Sequence, residues 1–475
     1  MPDERIVEPR VLRGFRDYLP GQMNARLKII EVIRRVYESY GFLPLDTPAL
    51  EYHATLMGYG EENSKQIFDF ENPEKEHVAL RFDLTAPLAR VVAQYPDLPL
   101  PLRRYQVGPV WRADKPDPGR FREFTQFDLD SVGTSSTAAD TEILCGVYDT
   151  LKALGIERFR VRFSDRNVLN ALLDFAGIPQ TSAHSVFRVL DKLDKIGIEG
   201  VAAELTQGRV DASGDRIRGL GLRADQVEKI KKFIAIPQGS RRDVLESLRV
   251  LFNDTPTASE ALKGLGEICA SLDALRIPDE FLLLDQSIAR GLEYYTGPVF
   301  EAILTDAPEF GSVVGGGRYD GLVARFLGRK IPAVGASIGV DRLLAAMVKL
   351  GLVEMTPSTA QVLVTVMEPG RIADYQALTR ELRQGGIRTE MYLGEEKGLT
   401  KQLAYANRQQ IPLAVIMGSD EFAKGEVTVK NLKLGARLPD KKTQREEWLK
   451  LSRTVQATIP RNECVSHVQT ALSHM

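Results

Sequence analysis

Cysteine and histidine are scarce in this chain: 475 residues hold three cysteines and five histidines. Cys145, Cys269 and Cys464 lie far apart and are odd in number, which excludes a disulfide framework and gives no metal-ligand spacing. His53, His77 and His184 are likewise scattered along the sequence, so it predicts no metal site. No run of about 18 apolar residues occurs, which excludes a conventional membrane-spanning helix. Met1-Pro2-Asp3-Glu4-Arg5 carries acids and lacks an apolar stretch, unlike a secretory signal. A reducing, cytoplasmic location is therefore the expectation. Net charge is only −2, which argues against simple electrostatic capture of a polyanion by the whole chain. The balance is uneven, however: from Thr359 onward Lys and Arg outnumber Asp and Glu, and the front is acidic. That asymmetry is compatible with a polyanion docking at the back end. No Gly-x-x-x-x-Gly-Lys-Ser/Thr loop is present, so a Walker-type nucleotide cradle is excluded.

What is present is organised in blocks. Single cores rarely grow past roughly 250–300 residues, so two or three domains are expected. Between Arg26 and Gly41 a helical stripe of Ile29, Ile30, Ile33, Val36, Tyr37 and Tyr40 predicts a helix that Gly41 ends. Phe42 to Pro48 reads as extended, because two prolines forbid helix continuation. Leu102 to Asp130 reads as two alternating arms of an antiparallel hairpin around a Pro/Gly-rich loop, and Arg158 to Phe163 as another strand. Residues 1–166 and 281–356 are read as two parts of one sheet domain. Helical periodicity from 167 to 280 marks an insertion between them. Beyond the polar run Thr356-Pro357-Ser358-Thr359, residues 357–475 alternate apolar strands with helices. That pattern predicts a small α/β domain with a largely parallel sheet, whose final strand is Glu426 to Leu432.

The chemistry-bearing residues are arginines. Arg112, Arg120, Arg290 and Arg342 each stand beside a sheet-like segment. A guanidinium keeps its charge at any working pH and offers a planar donor fork that fits phosphate oxygens. Several forks on rigid strands could hold a triphosphate without a glycine cradle. Arg290-Gly291-Leu292-Glu293-Tyr294-Tyr295-Thr296-Gly297 places a cation and two phenols side by side, and Gly315-Gly316-Gly317-Arg318-Tyr319-Asp320-Gly321 follows closely. By itself a triple glycine is most often a tight turn. Trp111 reads as packing, and Lys441 to Lys450 as a solvated helix face.

These two runs resemble the signature pair of histidyl-tRNA synthetases. Gly108-Pro109-Val110-Trp111-Arg112-Ala113-Asp114 with Gly119-Arg120-Phe121-Arg122-Glu123-Phe124-x-Gln126 resembles motif 2 of class II aminoacyl-tRNA synthetases. Gly335-Ala336-Ser337-Ile338-Gly339-Val340-Asp341-Arg342-Leu343 resembles motif 3, and the helix and Pro-containing strand before residue 50 resemble motif 1. Arg13-Gly14-Phe15-Arg16-Asp17 and Leu80-Arg81-Phe82-Asp83-Leu84-Thr85 extend the match. The resemblance implies an α+β class II catalytic domain, an antiparallel sheet with helices, carrying a helical insertion and followed by a C-terminal α/β anticodon-binding domain. It implies a homodimer built on motif 1, with ATP, Mg²⁺, L-histidine and tRNA(His) as partners and no membrane.

Carried over by position, the resemblance assigns roles as follows. Arg112 and Arg290 would flank the reacting phosphate as catalytic groups. Arg112, Arg120, Phe124 and Arg342 would bind ATP, with Phe124 and Arg342 sandwiching adenine. Asp83, Thr85 and Gln126 would bind the histidine α-amino group, Asp130, Tyr294 and Tyr295 would line the imidazole pocket, and Leu84, Arg112 and Arg290 would also belong to the histidine site. Lys115 to Gly119 would meet the tRNA acceptor end, and the glycine run would pass close to substrate. Asp83, Asp114 and Asp130 stand where some members carry glutamate, so charge is kept and reach is shortened. Ala336-Ser337 replaces bulkier motif 3 residues. A non-catalytic regulatory paralogue would keep such a pocket but lose the phosphate-binding arginines and the back-end domain. A class II enzyme for threonine or proline lacks support from Arg290 to Gly297.

Overall fold

A computed structural model describes residues 7–57, 64–115, 119–211, 214–289, 294–396, 398–435 and 455–475. Two compact units emerge: Arg26–Val353 with the segment ending at Asp17, and Glu354–Met475 with Tyr18–Ala25.

The first unit is organised by an eight-stranded sheet. Its strands are β1 (Leu43–Pro44), β2 (Leu102–Trp111), β3 (Glu123–Val132), β4 (Phe159–Asp165), β5 (Leu282–Leu284), β6 (Pro298–Leu304), β7 (Ser312–Arg318) and β8 (Ala333–Gly339). They lie in the order β1-β2-β3-β8-β7-β6-β4-β5. The neighbours from β2 to β4 in that order are all antiparallel. Only the edge strands are parallel to their neighbours. The β2–β3 hairpin pairs ten residues on each arm, from Leu102↔Val132 to Trp111↔Glu123. The helix before it runs Pro20–Ser39, six residues earlier than the apolar stripe alone predicts. Proline suits a first helical turn because its missing N–H is not needed there. Ile29, Ile33 and Tyr37 are its buried face, and Gly41 leaves the helix in the left-handed region at φ +76°.

Residues 167–280 are mostly helical, as the periodicity predicts, but carry one strand pair that it does not: Gly208–Val210 against Arg216–Arg218. Val168, Leu172, Phe187, Phe233, Leu248 and Leu265 are among the buried residues of this stretch.

The second unit holds a five-stranded sheet: β9 (Val362–Val364), β10 (Thr389–Met391), β11 (Leu413–Ile416), β12 (Glu426–Asn431) and β13 (Gln456–Pro460), in the order β10-β9-β11-β12-β13. The expectation of a largely parallel sheet ending at residue 432 is corrected here. β9 is parallel to β10 and β11, but β12 and β13 join antiparallel, and a helix at Cys464–Ser473 follows. No side chain of β13 is fully buried, so the strand carries little of the hydrophobic signal that betrays an inner one. The Tyr375 hydroxyl fastens this core, donating to the Met417 carbonyl at 2.6 Å and accepting from the Met367 and Glu368 amides. Lys441 to Lys450 lies outside the described residues.

Candidate active site

Side chains on a strand alternate between faces, so Phe124, Gln126, Asp128 and Asp130 of β3 all project to one side of the sheet. The facing residues of β8 are Gly339 opposite Gln126, Ser337 opposite Asp128 and Gly335 opposite Asp130. On that face lies a cavity of about 450 Å³, lined among others by Asp83, Thr85, Arg112, Arg120, Phe124, Gln126, Asp128, Asp130, Tyr294, Tyr295, Tyr319 and Arg342. Three of the four sequence-selected arginines thus meet in one place. Arg290 lies outside the described residues, as do residues 116–118 of the loop expected to meet tRNA.

The cavity has two ends of opposite chemistry. Arg112, Arg120, Arg342 and Phe124 form a basic and aromatic end. The Arg112 guanidinium sits 4.2 Å from the Phe82 ring centroid and 5.3 Å from that of Phe124. Its Nε donates to the Phe82 carbonyl at 3.1 Å. Arg120 is aimed by Asp114, which accepts from its Nη2 at 2.6 Å and its Nε at 2.9 Å. Arg342 donates through Nη1 to the Ser312 carbonyl at 2.7 Å. Its neighbour Asp341 is buried, accepts from the Thr125 amide at 2.6 Å and pairs with Arg26 at 3.3 Å. Residues of the first helix, β3 and the last helix of this unit are therefore tied together one residue away from Gln126. Trp111 packs at the mouth of the hairpin with its Nε1 donating to Glu123 at 2.8 Å.

Six residues along β3, roughly 20 Å at about 3.3 Å per residue, separate Phe124 from the acidic end at Asp130. Asp130 and Asp128 are both buried. Asp130 receives the Tyr319 hydroxyl and stands 3.0 Å from Arg104, whose Nη2 is also 3.8 Å from Asp128. Arg104 is fully buried and donates to the Leu84 carbonyl at 3.1 Å. One guanidinium thus faces two carboxylates. Burial pushes both acids above the usual aspartate range, partly opposed by Arg104. Asp128 Oδ1 and Gln126 Oε1 are buried with no hydrogen-bond partner among the described residues. These acceptors lie along β3 between Phe124 and Asp130, with the Ser337 hydroxyl facing Asp128, and they suit a ligand that brings hydrogen-bond donors. Tyr294 donates to the Tyr295 hydroxyl at 2.9 Å, and burial raises the Tyr295 phenol above its ordinary range.

Several sequence expectations change in detail. Asp83 lines the cavity, yet its Oδ1 accepts from the Thr85 and Ala86 amides at 3.1 and 2.9 Å, securing the first turn of helix Thr85–Gln94. Leu84 is not on the cavity wall: its side chain is fully buried, and it contributes the carbonyl that holds Arg104. The glycine run is the centre of β7, not a turn, and Gly315 and Gly316 line the cavity. A Cβ on Gly317 would come within 2.8 Å of the Tyr295 ring. Nor are the histidines all scattered in space, since His53 and His77 stack with ring centroids 4.0 Å apart. Asp128, Arg104 and Tyr319 join the site without a role that the motifs assign. Asp128 was reachable from its even spacing with Gln126 and Asp130, and Arg104 from the hairpin register that sets it opposite Asp130.

Gly335 yields a prediction. A Cβ there would fall 1.9 Å from Asp130 Oδ1 and 2.7 Å from the Leu129 carbonyl. Gly335→Ala should therefore displace Asp130 and weaken a ligand held at the acidic end by about tenfold or more, about 1.4 kcal/mol per decade, with a smaller change for one held at the basic end. Separate titrations of the two ligands measure this, and an equal loss for both contradicts it.

An antiparallel sheet carrying guanidiniums at one end and acids at the other defines a class II aminoacyl-tRNA synthetase type of catalytic fold. A crystal structure of histidyl-tRNA synthetase from Nostoc sp. PCC 7120 superposes with a TM-score of 0.82 at 31% identity, covering 98% of this chain and 100% of that one. The histidyl-tRNA synthetase family model matches residues 14–343, and an anticodon-binding domain model matches 361–458. Relatives called histidine–tRNA ligase are 44% identical in Ruegeria sp. (strain TM1040), over 99% of this chain and 97% of that protein, and 43% identical in Paracoccus denitrificans, over 97% of both. The chain belongs to the histidyl-tRNA synthetase family.

Proposed function

We propose that this protein is an ATP-dependent histidine–tRNA ligase, activating histidine as its adenylate and passing it to the 3′ end of tRNA(His). The observation that carries this reading is the polarity of this cavity: three guanidiniums beside Phe124, the buried Asp130 carboxylate six residues along the strand, and unfilled acceptors on Gln126 and Asp128 between them. Asp83, Thr85 and Gln126 take the α-ammonium, Asp130 with Tyr294 and Tyr295 takes the imidazole, and Asp128 adds a second carboxylate to that end. An acid and phenols fit a ring with both donor and acceptor, and an apolar impostor leaves them unpaired. Arg112 holds the α-phosphate and substrate carboxylate, Arg120 the β/γ end, and Phe124 and Arg342 the adenine. Arg290 is assigned to the opposite side of the reacting phosphate on its sequence motif alone.

Histidine's carboxylate is already ionised and attacks the α-phosphorus in line, so no general base is required. Charge builds on the phosphate oxygens and on departing pyrophosphate, where fixed cations stabilise it. The terminal tRNA hydroxyl then attacks the mixed anhydride. Among the described residues, no group of three potential metal ligands lies at the basic end. Mg²⁺ bound on the triphosphate would screen its charge. Residues 357–475 serve as the anticodon-binding domain, 167–280 as an insertion in a catalytic domain of residues 1–166 and 281–356, and the enzyme works as a homodimer in the cytoplasm. Among the described residues, no helix is long and apolar enough to cross a membrane.

A regulatory paralogue is the competing reading. Fold likeness extends to a Bacillus halodurans protein described as an ATP phosphoribosyltransferase regulatory subunit/histidyl-tRNA synthetase, at TM-score 0.69 and 23% identity. Retention of Arg112, Arg120 and Arg342 in one cavity favours the enzyme. Charging of purified tRNA, with each standard amino acid offered in turn, decides between them: histidine alone should be attached, and attachment of none supports the regulator.

The acid pair predicts a pH effect. Burial raises the Asp128 carboxyl, and a bound ammonium or ring N–H favours its ionised form. Histidine binding therefore expels a proton, so affinity rises with pH through the raised range and levels off above it. Asp128→Asn removes that dependence. The ratio of mutant to wild-type Kd cancels the titration of histidine itself and should grow with pH; a flat ratio contradicts the assignment.

A further inference from the structure

A second cluster of ligating side chains lies away from the cavity, on a small sheet of strands Leu50–Tyr52, Asp69–Glu71 and His77–Leu80. The central strand, His77–Leu80, is antiparallel to both neighbours. Tyr52 pairs with Val78, and the next residue, His53, opens a short helix, His53–Leu56, beside His77. On the other side Asp69 pairs with Ala79, two residues from His77 and hence on the same face. Strand pairing and this helix start thus gather two imidazoles and a carboxylate from three segments.

The three side chains lie close together. The His53 and His77 rings stack at 4.0 Å with an interplanar angle of 18°. The same oxygen, Asp69 Oδ2, lies 2.6 Å from His77 Nε2 and 4.0 Å from His53 Nε2. One ligand atom from each residue falls within 4.8 Å of the others. Side-chain exposures of 25% for His53, 42% for Asp69 and 56% for His77 leave an open side for water ligands. Exposed Glu71, Glu74 and Glu76 add negative charge nearby.

We propose that His53, Asp69 and His77 bind one divalent first-row transition metal of the zinc class. A plain His–Asp hydrogen bond on a solvated surface accounts for His77 alone. It does not account for a second imidazole directed at the same carboxylate oxygen in a chain with five histidines. Two nitrogen ligands and one carboxylate select Zn²⁺, Co²⁺ or Ni²⁺ over the oxygen-seeking Mg²⁺ and Ca²⁺. Bonds of about 2.0–2.2 Å to one ion require an imidazole to rotate out of the stack, so that both in-plane lone pairs meet, and His77 and Asp69 to part from their 2.6 Å contact. The metal would clip the segment at His53 onto the hairpin carrying Asp69 and His77, stabilising this sheet by linkage without entering the reaction.

The test is calorimetric titration of the full-length, EDTA-stripped protein with Zn²⁺, backed by visible absorption of the Co²⁺ form. One equivalent should bind with micromolar affinity and raise the melting temperature. His53→Ala and His77→Ala should each weaken binding by about tenfold or more. Their metal-free melting and histidine-dependent pyrophosphate exchange should stay as in wild type, which separates this site from the catalytic reading. Failure to bind one equivalent, or an equivalent that persists undiminished in the His53→Ala/His77→Ala double variant, overturns the proposal.

Discussion

Replacing Arg112 by alanine should lower the rate of histidine-dependent pyrophosphate exchange by about 10²–10³-fold, the usual effect of removing one charged group aimed at a developing oxyanion. The expectation rests on what Arg112 does not touch. Among the described residues the one hydrogen bond of its side chain is Nε to the Phe82 carbonyl, and no carboxylate pairs with it. Arg120 differs, being held by Asp114. A guanidinium kept between two aromatic rings without a counter-ion is poised for an incoming anion. Because no ion pair is broken, stability should change little. Arg112→Lys should recover only part of the rate, since an ammonium lacks the planar fork. Steady-state exchange and a melting curve on each variant measure both effects. A loss below tenfold, or one matched by unfolding, contradicts the role.

The second large effect concerns stability. Arg104→Met should destabilise the first unit by about 3–5 kcal/mol, because it leaves buried Asp128 and Asp130 without their shared cation. Removing one negative charge should recover part of this, so the Arg104→Met/Asp128→Asn double variant should be more stable than Arg104→Met alone. The ionised pair is most costly at high pH. Burial raises both carboxyls in the folded state, and loss of Arg104 raises them further. The folded Arg104→Met variant therefore holds protons that its unfolded chain releases, and stability falls as pH rises through the folded range. Urea melts at acid and alkaline pH measure this; a deficit independent of pH points to lost packing instead.

Strand alternation and motif spacing made much of the site legible in advance. Arg112, Arg120, Phe124, Gln126 and Arg342 could be selected because each sits in a run whose residue types and order are specific. Their convergence in one cavity follows from the hairpin and the adjacent β8, both readable as elements. Partners that depend on cross-strand register were not legible. Arg104 meets Asp130 only because Leu102 pairs with Val132, and a slip of one residue would send it to the other face. Gly315 to Gly317 illustrate the same limit: glycine gives no periodicity, so local reasoning reads a turn where the sheet places a strand. His53 and His77 stand 24 positions apart in the numbering and become neighbours only because the short sheet sets the start of helix His53–Leu56 beside the strand His77–Leu80. In the second unit, β13 lacked the apolar run that made β9 and β11 visible.

The most direct measurement is ATP–pyrophosphate exchange by the purified protein with single amino acids. Exchange should appear with histidine and ATP together and with no other standard amino acid. Exchange supported by threonine or proline but not by histidine would contradict an acidic, phenol-lined pocket that selects imidazole.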